Sequence, residues 1–433
     1  MKKVYIMIIV ILLIFLLLNG CNKNQNCNFT ENIIDNDEDI IYDESFKEND
    51  KSLENKDNLN LQMLVDWTGL LNTPMAASKY GCYEIMFNTD GSANILYTDI
   101  DTKQRIYLSS DISSEHNTEA DTSWIKNANG GCLLFVFDDS LFLSHFGDSD
   151  EPGLLYRMDL DGRNKKQLLS YNNYEAISNS VTYSNDNIYT ILTNKNEENI
   201  LVCINLKTGD LKEIKNFNNE SVFLMSAYDD YMIIKIIEFD TQSEDALKAY
   251  YNQKHIIYKY SIKDDTMTKI VEWKQDTVYD AYDNKFIYLL EKDTDSVTEI
   301  NVNNGDKKII IESLKANNLD FNYITDILPV YDNHIIIDMD DGNSSFRKYI
   351  DLDKSCINDA QELKNGSYLG IVGVYDNTFL VTTGRFEIPV NATAPDGSPI
   401  ITMMGMRSLA IINKQDFWAN KYDFQEIDNT FLD

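Results

Sequence analysis

The sequence is poor in the residues that much enzyme chemistry draws on. Four histidines in 433 residues leave little material for a His-based metal site or a catalytic triad. No HExxH, GxSxG, GxxxxGK[ST] or GxGxxG stretch occurs, so the signatures of zinc proteases, serine-hydrolase elbows, P-loops and dinucleotide folds are missing. The six cysteines (21, 27, 82, 132, 203 and 356) include no CxxC pair, which removes zinc-ribbon and thioredoxin-type motifs. Cys82, Cys132 and Cys203 sit in apolar runs and read as small buried hydrophobes; pairing among Cys27, Cys82, Cys132, Cys203 and Cys356 stays open. Cations are scarce too: 38 Lys and Arg against 70 Asp and Glu give a net charge of −32. Such a field disfavours nucleic acid or an anionic lipid surface as a direct partner. No apolar period of 3.6 residues appears beyond the N-terminus, which argues against a helical body.

What is present begins with MKKVYIMIIVILLIFLLLNGC. Lys2 and Lys3 precede an apolar run over Val4–Leu18, shorter than the ~20 residues a spanning helix needs and suited to a signal segment. Leu18-Asn19-Gly20-Cys21 resembles the lipobox of bacterial lipoproteins. That resemblance implies a signal peptide over 1–20, lipidation of Cys21, and a chain held on the outer side of the bacterial cytoplasmic membrane. A retained signal anchor is the alternative. Residues 22–60 carry 11 acidic residues against 4 lysines without a sustained apolar period, so 21–60 is expected as a disordered acidic tether.

From residue 61 to about 430 the chain repeats itself. An aromatic or polar residue, a pair of Asp or Asn residues, one free residue and an apolar run recur as FDDSLF, SNDNIY, YDDYMI, YDNKFI, YDNHII and YDNTFL. The apolar residue falls at Leu141, Ile188, Met232, Phe286, Ile335 and Phe379, at gaps of 44 to 54 residues. Each copy is followed by an alternating strand, a polar turn and another short strand, as in YRMDLDGRNKKQLL at 156–169. An earlier copy, LYTDIDTKQRIYL at 96–108, brings the number to seven. A spacing of roughly 40–55 residues with four short strands per copy is the β-propeller regime. The expected fold is therefore all-β, a propeller of seven four-stranded blades, with six or eight as alternatives. QMLVDW at 62–67 is the candidate inner strand of the first blade, and how the ring closes is not legible. The Asp/Asn pairs read as tight turns between strands A and B, because both residues tolerate left-handed backbone and bond their own chain. Asp283, Asp332 and Asp376 need no catalytic role on this reading.

GLLYRMDLDGRNKKQLLS at 153–170 and SLAIINKQDFWANKYDF at 408–424 resemble the low-density-lipoprotein-receptor-related-like β-propeller family of bacterial lipoproteins, over about residues 60–428. The resemblance implies a fold and a location, and no reaction. In RIYLSSDISSEHNTEADTSWI at 105–125, members of that family tend to carry cysteines around a lone histidine. This chain has Ser109, Ser114 and Asp121 near His116 instead.

Up-and-down strands put A–B and C–D turns at one end of a propeller and B–C and D–A connections at the other. The long segments at 109–131, 145–152, 239–254, 339–345 and 385–405 all fall at the second end, which is taken as the binding face. The candidate ligand residues are Phe386, Ile388, Pro389, Met403, Met404 and Met406 in the 385–405 insertion, with His116, Trp124 and His145 on the same side. The insertion is expected to contribute to partner binding and not to the fold. No cofactor or metal is expected. Calcium is the one cation worth weighing, since Asp338, Asp340, Asp341 and Gly342 resemble a calcium loop with the glycine one place early. The expected function is a non-enzymatic binding or scaffold module for a protein, peptide or glycan. The alternative is an extracellular hydrolase acting on glycan or peptide with paired carboxylates in the channel.

Overall fold

The computed structural model describes residues 59–432, apart from 67–74, 110, 112, 148–150, 178, 219, 241–242, 244 and 394–397. By its contacts the chain parts into Met1–Glu54 and Asn55–Asp433. The expected signal segment, Cys21, Cys27 and all but the last two residues of the expected tether lie outside the described residues. Among the described residues no helix is long and apolar enough to cross a membrane.

The fold is a β-propeller. Among the described residues, four-stranded antiparallel units follow one another over 75–107, 132–170, 181–216, 221–274, 278–311, 324–359 and 370–426. They are called units 1 to 7 here, with strands A to D running from the inside out. The turn chemistry explains why the strands break where they do. Asp138, Asn185, Asp229 and the pair Asp332–Asn333 all have positive φ in A–B turns, a conformation that Asp and Asn adopt at low cost. In unit 5 the Asp283 carboxylate instead accepts from the backbone N–H of Lys285 and Phe286 at 2.7 and 2.8 Å. Gly162, Gly209 and Gly305 take positive φ in C–D turns.

A four-stranded unit has two faces and can bury them only against neighbours. Each consecutive pair of units shares one apolar cluster: units 1 and 2 through Ile95 and Leu143, units 2 and 3 through Phe142 and Ile188, units 3 and 4 through Leu201 and Ile234. Units 4 and 5 meet at Ile257 and Leu289, units 5 and 6 at Leu290 and Ile337, units 6 and 7 at Ile336 and Phe379. Unit 7 packs back on unit 1 through Leu380, Leu409 and Cys82, so the ring closes by apolar packing. The C-terminal tail reinforces this junction. Asp428 pairs with Gln104 in a parallel bridge, and the Arg105 N–H donates to the Asp428 carbonyl at 2.8 Å.

Two sequence expectations are corrected. Residues 62–67 do not form the inner strand of unit 1; that strand is Met75–Ala77. Leu61–Val65 is an entry strand that pairs antiparallel with strand A of unit 3 and with strand A of unit 4, joining both into one nine-stranded sheet. Leu61 lies opposite Asp229, in the A–B turn of unit 4, and Val65 opposite Val181. The chain therefore enters at the tight-turn end and runs up the channel wall. The second correction concerns 385–405, read from the sequence as a long connection. It extends strands B and C of unit 7 into a long hairpin, Thr378–Thr393 with Pro399–Asn413. A bulge between Thr382 and Gly384 breaks the register at its root and bends it.

Candidate functional site

The entry strand divides the channel. One cavity of about 290 Å³ lies between Leu64 and Val65 and the inner strands of units 1, 2 and 7. Another of about 250 Å³ lies between Met63 and the inner strands of units 4, 5 and 6. Both are lined largely by apolar side chains and backbone. A cleft of about 1040 Å³ at the tight-turn end is lined by Lys79, Asp138, Asp139, Asp376 and Lys414, and one of about 760 Å³ lies at the channel mouth on the long-connection end, between units 6 and 7. Asp326, Asp338 and Arg347 line it from unit 6, Asn365, Ser367 and Tyr368 from the connection, and Arg385 and Arg407 from the root of the hairpin.

Strand pairing sets this geometry. Asp326 and Asp338 are cross-strand neighbours in unit 6, and Arg347 lies opposite Asp338 on the next strand. The Arg347 guanidinium grips Asp338 with two parallel bonds, Nε to Oδ1 at 2.6 Å and Nη2 to Oδ2 at 2.9 Å, and gives its third to the Leu369 carbonyl at 2.6 Å. Among the described residues Asp326 is in no ion pair, and the Arg347 charge only partly offsets its burial. Burial pushes its carboxyl above the usual range, with the Asp338 charge adding to the rise. Arg385 and Arg407 face each other across the hairpin. Burial lowers the Arg407 guanidinium; the nearby Glu84 charge opposes this, and the Arg385 and Arg105 charges add to the lowering.

The residues expected as ligand-binding divide by strand parity. Phe386, Ile388, Met404 and Met406 sit on one face of the hairpin and pack on Met86, Leu96, Tyr107 and Phe431, so they clamp the hairpin to unit 1. Pro389 and Met403 are opposite each other on the other face, and both are exposed. His116 stacks on Tyr107 with ring centroids 4.0 Å apart. Its Nδ1 is 2.9 Å from Asp121 Oδ2, which also accepts from Ser109 Oγ at 2.6 Å. Burial alone would raise the Asp121 carboxyl. Hydrogen bonds from Ser109, Ser114 and Ser123 outweigh that and hold it far below the usual range. The serines and aspartate around the lone histidine thus converge on one buried carboxylate. Trp124 forms a short strand with Ile125 beside strand C of unit 1. His145 Nε2 lies 3.0 and 2.9 Å from the Lys126 and Asn127 carbonyls and ties down the end of the 109–131 connection.

Among the described residues no group of three or more His, Cys, Asp or Glu is placed to hold a metal ion. The calcium-like stretch is occupied by its own turn. Asp340 accepts from the Gly342 N–H at 2.6 Å, Asp341 from Asn343 and Ser344 at 2.8 and 2.9 Å, and Asp338 is held by Arg347. Cys82, Cys132, Cys203 and Cys356 are free, the first two buried.

Sequence reasoning missed Arg385, Arg407, Asp326 and Arg347. One signal was available: residues 385 and 407 flank the insertion symmetrically, as a hairpin requires.

The chain is similar to the β-propeller domain of the Trilobed protease from Pyrococcus furiosus, at 10% identity and a TM-score of 0.48, covering 84% of this chain and 98% of that one. It is similar to the Pyrococcus horikoshii acylaminoacyl peptidase, at 11% identity and a TM-score of 0.47, covering 84% of this chain and 54% of that one. It is also similar to an oligogalacturonate lyase from Vibrio parahaemolyticus, at 11% identity and a TM-score of 0.44, covering 79% and 90%. The chain thus spans about half the length of the peptidase. No family model and no curated protein matches it.

Proposed function

We propose that this protein is a lipid-anchored extracytoplasmic lipoprotein whose seven-bladed propeller is a binding or scaffold module for a protein, peptide or glycan. The binding face is the long-connection end, at the channel mouth between units 6 and 7. The observation that carries the reading is the cleft itself, with Arg385 and Arg407 in no ion pair among the described residues. A cleft of that size with a few convergent polar groups is the kind of surface small ligands and chain ends use. The anchor rests on Lys2 and Lys3, the apolar run and Cys21. Kinship with the low-density-lipoprotein-receptor-related-like lipoproteins rests on the repeat text at 153–170 and 408–424.

Hydrogen exchange tests the face. The protein is mixed with peptides and glycan fragments released from the cell envelope. Slowed exchange is expected at 324–328, 365–372 and 382–386; slowing confined to the tight-turn end would refute the reading. Cys21→Ser with fractionation tests the anchor: loss of membrane retention and an altered N-terminal mass are expected, and no change in either would reject it. The raised carboxyl of Asp326 beside Asp338 favours one second reading, a hydrolase with Asp326 as the proton donor. Turnover of an envelope glycan or peptide that Asp326→Asn abolishes would establish that reading in place of the first.

A further inference from the structure

We infer that the Arg385–Arg407 pair is an oxyanion site, and that the ligand of the channel mouth carries a carboxylate or phosphate group. The inference rests on the channel mouth being the binding face. Directly opposed like charges on neighbouring strands are unfavourable, and this pair sits in a chain that carries 70 acidic residues. Among the described residues neither guanidinium is in an ion pair, although nearby Arg105 and Arg347 are bound to Glu84 and Asp338. Arg407 is half-buried and directs Nη1 at the Met75 thioether, 3.5 Å away, a weak acceptor that leaves most of its donors unspent. Arg385 is exposed beside it.

The surroundings complete a receptor for an anion. Tyr368 lies against the Arg347 guanidinium at 5.8 Å and leaves that cation committed to Asp338. Asn365 and Ser367 brace the root of the hairpin by bonding the Thr383 carbonyl at 2.9 and 3.3 Å, which fixes the register that opposes the two arginines. Guanidinium forks carry paired N–H donors, which carboxylate and phosphate oxygens fit, and strand register sets these two opposite each other. In a strongly negative protein, a local pair of cations outside any ion pair among the described residues also reduces the repulsion an anion meets.

The test uses the full chain and two probes, sodium phosphate and sodium malonate, against sodium chloride at equal ionic strength. A saturable rise in melting temperature of about 3 °C is expected at a hundredfold excess over Kd. A tighter response to malonate assigns a carboxylate-bearing ligand, and a tighter response to phosphate a phosphate-bearing one. Arg385→Gln, at an exposed side chain, is expected to weaken binding about tenfold by titration calorimetry. Arg407→Gln is expected to do the same, and Arg163→Gln, on a distant turn, to change nothing. Anion binding unaltered in Arg385→Gln, or no response beyond that to chloride, overturns the inference. If the exchange footprint of envelope ligands at the channel mouth persists after such a failure, the binding face stands and only the ligand class falls.

Discussion

Removing the charge of Arg105 should loosen the ring at its seam. The side chain is fully buried in unit 1 and ion-pairs with buried Glu84. Its Nη1 donates to the Arg407 carbonyl of unit 7 at 2.9 Å and lies 3.3 Å from Asn429 Oδ1 in the tail. The Phe431 ring covers the guanidinium at 5.3 Å. One side chain therefore touches unit 1, unit 7 and the C-terminal tail. Arg105→Met keeps most of the volume but strands the Glu84 carboxylate in the interior, a loss of about 3–5 kcal/mol. Unfolding entropy for a domain of this size converts that into a melting temperature lowered by about 4–6 °C. Pairing Arg105→Met with Glu84→Gln should recover most of the loss, since no charge is then stranded. Calorimetric melts of the four proteins in the double-mutant cycle decide the matter. A single variant melting within about 1 °C of the wild type, or a double variant no better than the single, would refute the reasoning.

Three further outcomes are expected. Met406→Ala should cost about 2–5 kcal/mol, because Met406 is buried against Met86 and Leu96; a melt unchanged by it, and by replacing 386–405 with a Gly-Ser linker, would return the hairpin to a purely binding role. Asp326→Asn should raise stability at pH 7 and be neutral below about pH 4. A carboxyl raised in the folded state contributes stability below its unfolded value, and this is lost as pH rises through the folded value; equal melts of variant and parent at pH 7 would contradict the burial argument. Asp121 behaves oppositely. Its carboxyl is lowered on folding, so its contribution is present above about pH 4 and lost as pH falls toward the folded value. Acid titration followed by amide exchange in 109–131 should show a transition that Asp121→Asn flattens.

The repeats were legible because their punctuation is local. An Asp-Asn pair announces a tight turn, by left-handed backbone as at Asp332–Asn333 or by a side-chain bond as at Asp283, and an alternating run after it announces a strand, whatever the rest of the chain does. The inner strand of unit 1 was not legible, since Met75–Ala77 is three residues long and carries no pattern. The entry strand was read as a strand but misplaced, because its partners, Tyr183 and Tyr228, are fixed only once units 3 and 4 stand side by side. The candidate site fared less well. Apolar residues in 385–405 looked like a binding surface, yet an extended hairpin gives alternate residues opposite fates, and Phe386, Ile388, Met404 and Met406 fell on the packed face. The arginines that line the cleft are ordinary in sequence. Only the register that opposes 385 to 407, and the pairing of Arg347 with Asp338, sets two of these arginines against each other and leaves the third committed to a carboxylate.

The entry strand also decides how the ring answers tension. A pull on the chain ahead of Leu59 travels along the axis of Leu61–Val65, which is bonded to neighbours on both sides; on one of them Thr182 Oγ1 and the Tyr183 hydroxyl each hold Gln62 at 2.7 Å. The bonds across the strand are then strained together in shear, where a strand at the rim would be peeled away one bond at a time. The traction is delivered to the middle of the ring, between two units whose outer strands never feel it first. A propeller pulled from its N-terminal side would thus be loaded across this strand, away from the outer strands and from the junction between units 7 and 1.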